Sequence, residues 1–138
     1  MKTVILIGGQ LATGKTTLAN YISEKLSIPC FIKDRYKETL ADTIGFTNRE
    51  ENKKLSVAVF NIFLNISKQF ISLNKDLIIE SNFKQNEIDE LKELFEKNLE
   101  YQYVFETYQC LRNRSKDGDN RFVRNEFTRF GYVDCRFR

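Results

Sequence analysis

Short, almost wholly apolar runs alternate along this chain with longer stretches in which apolar residues recur every three or four positions. The first run, Thr3-Val4-Ile5-Leu6-Ile7, reads as a strand buried on both faces, because no polar residue interrupts its aliphatic side chains. Beyond a glycine-containing loop, Lys15 to Leu26 places Leu18, Ile22 and Leu26 four apart, which is the spacing of one helix face, and Ser27-Ile28-Pro29 ends it. Cys30-Phe31-Ile32 follows as a short strand and Asp34 to Asp42 as a brief helix that Gly45 closes off. Thr47-Asn48-Arg49-Glu50 has the form of a capping box and opens a long helix to about Asn74. Its apolar stripe, Leu55, Val59, Ile62, Phe63, Ile66, Phe70 and Leu73, is expected to be core. Asp76-Leu77-Ile78-Ile79-Glu80 is the third strand, Asn86 to Lys97 an amphipathic helix with Ile88, Leu91, Leu94 and Phe95 on one side, and Tyr101 to Tyr108 the fourth strand.

Repeated strand and helix units with nearly all-apolar strands predict an α/β fold: a parallel sheet with helices on both faces, because parallel strands need crossovers and bury both sides. Ligands in such sheets sit at the carboxyl ends of the strands. That rule gathers the loop from Gly9 to Thr16, Asp34 and Glu80 at one rim.

Composition narrows the chemistry. A chain of 138 residues, 41% apolar and 30% charged, is expected to form one domain, residues 1–138, around a single core without disulfide or metal staples. No uninterrupted apolar run approaches the roughly eighteen residues of a membrane span, and Met1-Lys2-Thr3-Val4 does not begin a signal peptide, so no membrane partner and a cytoplasmic location are expected. Cys30, Cys110 and Cys135 are widely spaced and odd in number, with no C-x-x-C pair, and read as reduced, mostly buried thiols. Histidine is absent, which excludes Ser-His-Asp and Cys-His nucleophile systems and His-ligated zinc. Acid–base work falls to Asp, Glu, Lys or Tyr. Charge is uneven: residues 1–111 hold 14 Lys and Arg against 15 Asp and Glu, whereas residues 112–138 hold 8 against 4, a basic lid or tail.

Candidate chemistry centres on Gly8-Gly9-Gln10-Leu11-Ala12-Thr13-Gly14-Lys15-Thr16-Thr17, which carries the Walker A pattern G-x-x-x-x-G-K-[ST] from Gly9 to Thr16. With a strand before it and a helix after it, such a loop turns its backbone N–H groups inward around phosphate oxygens. The residues expected to hold nucleotide are Gly9, Gln10, Leu11, Ala12, Thr13, Gly14, Lys15, Thr16 and Thr17. Lys15 brings a point charge to the β- and γ-phosphates, and the Thr16 hydroxyl is a natural Mg²⁺ ligand, so ATP and Mg²⁺ are the expected ligands. Asp34, just past the second strand, is placed to orient a hydroxyl and accept its proton, or else to cap a helix. Glu80 stands where an acid near the metal is expected, or is an exposed strand-end carboxylate. Ser81 and Asn82 follow as candidates for substrate hydrogen bonds or a turn, with Asn82 grouped with Asp34, Arg35 and Lys37 on the substrate side. Arg112, Arg114, Arg121 and Arg124 form a group suited to a lid over a triphosphate, and Arg121 and Arg124 are assigned to the catalytic set with Lys15 and Asp34.

Gly9 to Thr17, Lys33-Asp34-Arg35-Tyr36-Lys37-Glu38 and Ile78-Ile79-Glu80-Ser81-Asn82-Phe83 together resemble the small P-loop kinases of the polynucleotide-kinase-like and zeta-toxin-like group, over roughly residues 1–110. The resemblance implies a three-layer P-loop NTPase sheet of five strands, nucleoside-monophosphate-kinase-like, with Asp34 as the base and Lys37 helping to hold substrate. It also implies an ATP-dependent phosphotransferase acting on a hydroxyl of a small molecule or nucleotide-like acceptor. The alternatives are a polynucleotide 5′-hydroxyl kinase, for which nucleic acid is the partner, and an ATP-binding module without transferase activity. Relatives commonly have glycine where this chain has Ala12, and they continue into a longer lid, a fifth strand and a closing helix. Here 27 residues run from Arg112 to the end, among which Tyr132 to Phe137 is the candidate fifth strand.

Overall fold

A computed structural model of the chain describes residues 2–98 and 101–108, the last eight as backbone only. The element order is β1 (Lys2–Gly9), α1 (Lys15–Leu26), β2 (Cys30–Ile32), α2 (Lys33–Ile44), α3 (Arg49–Ser72), β3 (Leu77–Glu80), α4 (Gln85–Glu96) and β4 (Tyr101–Tyr108). All four strands are parallel, in the order β2-β3-β1-β4. The register sets Ile7 opposite Glu80 and Ile32 opposite Glu80, so β2 and β3 end level with one another and β1 runs two residues further, to Gly9. At the other end the Thr3 N–H donates to Asp76 Oδ1 at 2.6 Å, which ties the start of β1 to the entry of β3.

Side chains alternate across the sheet and divide the core in two. Ile5, Ile7 and Ile78 pack with Ala19 of α1 on one face, joined by Leu18, Ile22, Ile28 and Cys30. Val4, Leu6, Leu77 and Ile79 face the other way, onto Val59, Phe60, Phe63 and Leu64 of α3 and Leu91 and Phe95 of α4. Helices therefore cover both faces, as the strand composition predicts. α2 is anchored by Tyr36 and Leu40 against the second cluster, where the Tyr36 ring meets Phe63 edge-on at 5.2 Å and Phe31 meets Phe70 at 5.5 Å.

Several details differ from the pattern-based expectation. α3 turns Leu55, Val59, Phe60, Phe63, Leu64 and Ser67 inward, while Ile62 and Leu73 of the expected stripe are exposed. α1 likewise leaves Leu26 exposed. The long helix is capped one residue later than the capping-box reading puts it: Asn48 accepts from the Glu51 N–H at 2.9 Å, and Glu51 reaches back to the N–H and hydroxyl of Thr47 at 2.6 and 2.9 Å. Glu50 instead pairs with Lys53 on the surface. Those two Thr47 bonds hold the Glu51 carboxyl below the usual range, so its contribution is present at neutral pH and lost as pH falls through that depressed value. Asn48→Ala is expected to cost about 1 kcal/mol in urea unfolding. Glu51→Ala should destabilise more than Glu50→Ala, and an equal effect would place the cap wrongly.

α3, at 24 residues, is long and apolar enough to be weighed as a membrane span, although it lacks the unbroken apolar run sought in the sequence. Its inner stripe is part of the core against the sheet, which is the behaviour of a core helix. The arginines at 112, 114, 121 and 124, Cys110, Cys135 and the expected fifth strand Tyr132 to Phe137 lie outside the described residues.

Candidate active site

β1 runs into the loop and the loop into α1 through two residues in the left-handed region, Ala12 at φ +58° and Gly14 at φ +84°. At Gly14 this conformation suits glycine, whereas for an L-residue such as Ala12 it costs roughly 1–2 kcal/mol. The strain at Ala12 gives a physical meaning to the glycine expected there by resemblance. Gly14 caps α1 with no side-chain hydrogen bond, so the first N–H groups of α1 have no side-chain cap and face the loop.

Within the loop the Gln10 carbonyl is a hub. Thr13 Oγ1 donates to it at 2.9 Å, and Lys15 Nζ donates to it as well. Lys15 is only 6% exposed and Thr13 7%, whereas Gln10, Leu11, Ala12, Gly14, Thr16 and Thr17 are exposed. The loop thus presents exposed backbone around one largely buried ammonium group.

The acid expected at the end of β3 is the centre of the rim. Glu80 shares the sheet face of Ile5, Ile7 and Ile78, the face that α1 covers, and there Thr16 Oγ1 donates to Glu80 Oε2 at 2.9 Å. Glu80 is 4% exposed, which overturns the reading of it as an exposed strand-end carboxylate. Burial holds its carboxyl above the usual range. The Thr16 hydrogen bond and the Lys15 charge oppose that shift, Asp34 reinforces it, and Arg35 again opposes it. Lys15, Thr16, Asp34, Arg35 and Glu80 therefore share one electrostatic neighbourhood.

Asp34 is the second residue of α2, exposed, and not a cap: the capping position falls on Ile32, with no side-chain hydrogen bond. The helix starts one residue earlier than expected, and this removes the capping role. Arg35 is exposed beside it, and Lys37 half-buried one turn on. Asn82 is exposed just past β3, whereas Ser81 is 2% exposed, its N–H donating to the Ile7 carbonyl at 3.0 Å and its hydroxyl without a partner among the described residues. The half-buried Cys30 thiol is pushed up to about 11, chiefly by burial and then by Glu80, so it remains protonated.

One pair has no counterpart in the sequence pattern. Lys33, the first residue of α2, meets Glu87 of α4 at 2.9 Å with side chains 10% and 6% exposed. The other carboxylate oxygen of Glu87 accepts from the Lys84 N–H at 2.9 Å. A glutamate three residues past the capping position Lys84 is the available signal for the second bond, but expecting the helix to begin at Asn86 hides it.

Among the described residues no cluster of three or more His, Cys, Asp or Glu side chains exists to cage a metal. The Thr16 hydroxyl and Glu80 carboxylate are hard oxygen donors, which suits Mg²⁺ held by one carboxylate and by phosphate oxygens of its nucleotide.

No family model and no curated protein matches the sequence. Among solved structures, the fold is similar to that of an inferred kinase from Chloroflexus aurantiacus j-10-fl, with a TM-score of 0.70 and 24% identity over 77% of this chain and 58% of that one. It is also similar to a gluconokinase from Sinorhizobium meliloti 1021, with a TM-score of 0.50 and 15% identity over 78% of this chain and 57% of that one. A third likeness is to the Pnkp1/Rnl/Hen1 complex, at 0.55 and 11% identity over 96% of this chain and 49% of that one. The chain therefore shares the α/β fold of these structures, a parallel sheet with helices on both faces, and it spans between 49% and 58% of their length.

Proposed function

We propose that the protein is a phosphotransferase that moves the γ-phosphoryl group of ATP, bound with Mg²⁺, to a hydroxyl group of a small molecule or nucleotide-like acceptor. The observation that carries this reading is the 2.9 Å bond from Thr16 to the buried Glu80, in the charge neighbourhood that also holds Lys15 and Asp34. Phosphoryl transfer asks little covalent chemistry of a protein, so positioning and charge do most of the catalysis. The amides of residues 9–17 would surround the phosphates and Lys15 would leave the Gln10 carbonyl for them. Thr16 and Glu80 would hold Mg²⁺, which offsets the charge on the phosphate oxygens. Asp34, exposed at the start of α2, would accept the proton of the acceptor hydroxyl, with Arg35, Lys37 and Asn82 orienting that molecule. Arg121 and Arg124 are proposed as lid residues over the transferred group, within a single domain that works in the cytoplasm.

Transfer of label from γ-labelled ATP, measured across sugar acids, nucleosides and a 5′-hydroxyl oligonucleotide, tests this reading. Asp34→Asn is expected to lower transfer by about 10²- to 10⁴-fold with Mg-ATP binding intact. Equal turnover by both proteins would remove Asp34 from the reaction. Mg-ATP binding without turnover on any acceptor would leave a nucleotide-binding module, and salt-dependent binding of the oligonucleotide would favour the nucleic-acid acceptor.

A further inference from the structure

We propose that Lys33 and Glu87 are positioning residues, whose buried ion pair fixes the first turn of α2 and thereby places Asp34 at the strand ends. The role given to Asp34 rests on the phosphotransferase reading above; the fixing of α2 does not.

β2 passes into α2 without a connecting loop, since Ile32 ends the strand and Lys33 begins the helix. Whatever holds Lys33 therefore holds the residue after it. A cation in the first turn of a helix opposes the helix dipole, which the neighbouring Asp34 complements and Lys33 does not. Lysine there does not serve the helix itself. Its ammonium lies 2.9 Å from Glu87, and that carboxylate is fixed in turn by the Lys84 N–H at 2.9 Å. Lys84 closes the segment that leaves β3 through Ser81 and Asn82. One bond thus joins the two strand-to-helix junctions, after β2 and after β3, that border the acceptor side.

Two further ion pairs, Lys53 with Glu50 and Lys97 with Glu93, are exposed and each joins neighbouring turns at one helix. A buried pair adds little net stability compared with apolar side chains of the same shape, because desolvation offsets its attraction. What it supplies is a single allowed geometry. The Tyr36 ring against Phe63 anchors the body of α2 and the pairing of Ile32 opposite Glu80 anchors the end of β2, while the ion pair holds the first helical residue between them.

The test is Lys33→Met combined with Glu87→Gln. Methionine keeps the aliphatic stem, and glutamine still accepts from the Lys84 N–H, so both charges go while the cap and the packing remain. Amide hydrogen exchange at Lys37 to Thr39 is expected to speed up about tenfold while Ile5 to Ile7 of β1 stay unchanged. Binding of a fluorescent ATP analogue with Mg²⁺ should be unaltered, and kcat for phosphoryl transfer should fall about 10- to 100-fold at constant KM for ATP. Lys33→Arg, which keeps the pair, should retain both readouts within about twofold. Should the double variant fail to fold, Glu87→Gln alone gives the same two readings. Unchanged exchange in α2 overturns the proposal, as does wild-type kcat in the variant of an active enzyme. If the wild type phosphorylates no acceptor, the phosphotransferase reading fails, while the exchange measurement still decides whether the pair fixes α2.

Discussion

Lys15→Met is expected to abolish most nucleotide-dependent behaviour while leaving the free protein folded. The wild type at 100 times its Kd for Mg-ATP gains about 2.7 kcal/mol of apparent stability, which a melting experiment reads as an upward shift. The variant should lose most of that shift. Lys15 is 6% exposed, and its ammonium rests on the Gln10 carbonyl, so the chain already holds this charge inside the loop whose backbone would enclose the phosphates. Moving it from one carbonyl to phosphate oxygens exchanges a neutral acceptor for anionic ones, and the interaction grows at low local dielectric. Removing a preorganised donor of this kind typically lowers transfer about 10²- to 10³-fold. The fold should tolerate the change, because methionine fills the space of the stem and only the Gln10 carbonyl loses a donor, with Thr13 still bonded to it at 2.9 Å. Equal melting shifts for the two proteins would mean that the loop does not bind nucleotide through Lys15, and the proposed function would go with it.

Much of this was legible in the sequence because two different periodicities alternate. Unbroken aliphatic runs such as Val4 to Ile7 and Leu77 to Ile79 have no solvent-facing alternative, so their assignment as buried parallel strands follows from composition alone. The glycines, lysine and threonine of the loop are close together in sequence, so their place between β1 and the start of α1 follows from local pattern. The face of α3 was harder. That helix carries apolar residues around most of its circumference, Val57 and Ile62 included, and only packing against the sheet selects Phe60 and Leu64 over Ile62 and Leu73. Its cap was ambiguous by one position, since Thr47 and Asn48 are both good capping residues and Glu50 and Glu51 are adjacent. The same one-residue uncertainty at α2 separated Asp34 as a cap from Asp34 as an exposed first-turn carboxylate. Lys33 and Glu87 lie 54 residues apart, and no local pattern links them. Long-range polar contacts of this kind come from the fold, not from the periodicity.

Glu80→Gln should separate stability from activity more sharply than any other single change at the site. In the folded chain burial holds the Glu80 carboxyl above the usual range, more than the Thr16 hydrogen bond and the Lys15 charge can offset, and Asp34 adds to the shift. A group whose folded value is raised contributes stability that is complete below its unfolded value and is lost as pH rises through the folded one. Once pH exceeds that raised value the wild type carries an ionised carboxylate that its surroundings disfavour. Glutamine is uncharged at every pH and its amide oxygen still accepts from Thr16 Oγ1, so the variant should melt higher than the wild type near neutrality. That advantage should shrink as pH falls through the raised value, where Glu80 takes up its proton. Mg²⁺ reverses the comparison: a divalent cation needs the carboxylate, so Mg-ATP should raise the melting temperature of the wild type more than that of the variant, and transfer by the variant should drop about 10²-fold or more. Melting curves from mildly acidic to neutral pH, with and without Mg-ATP, decide it. A variant that melts lower than the wild type at neutral pH would show that Glu80 is a structural carboxylate, and one that transfers phosphate at the wild-type rate would remove it from the metal site.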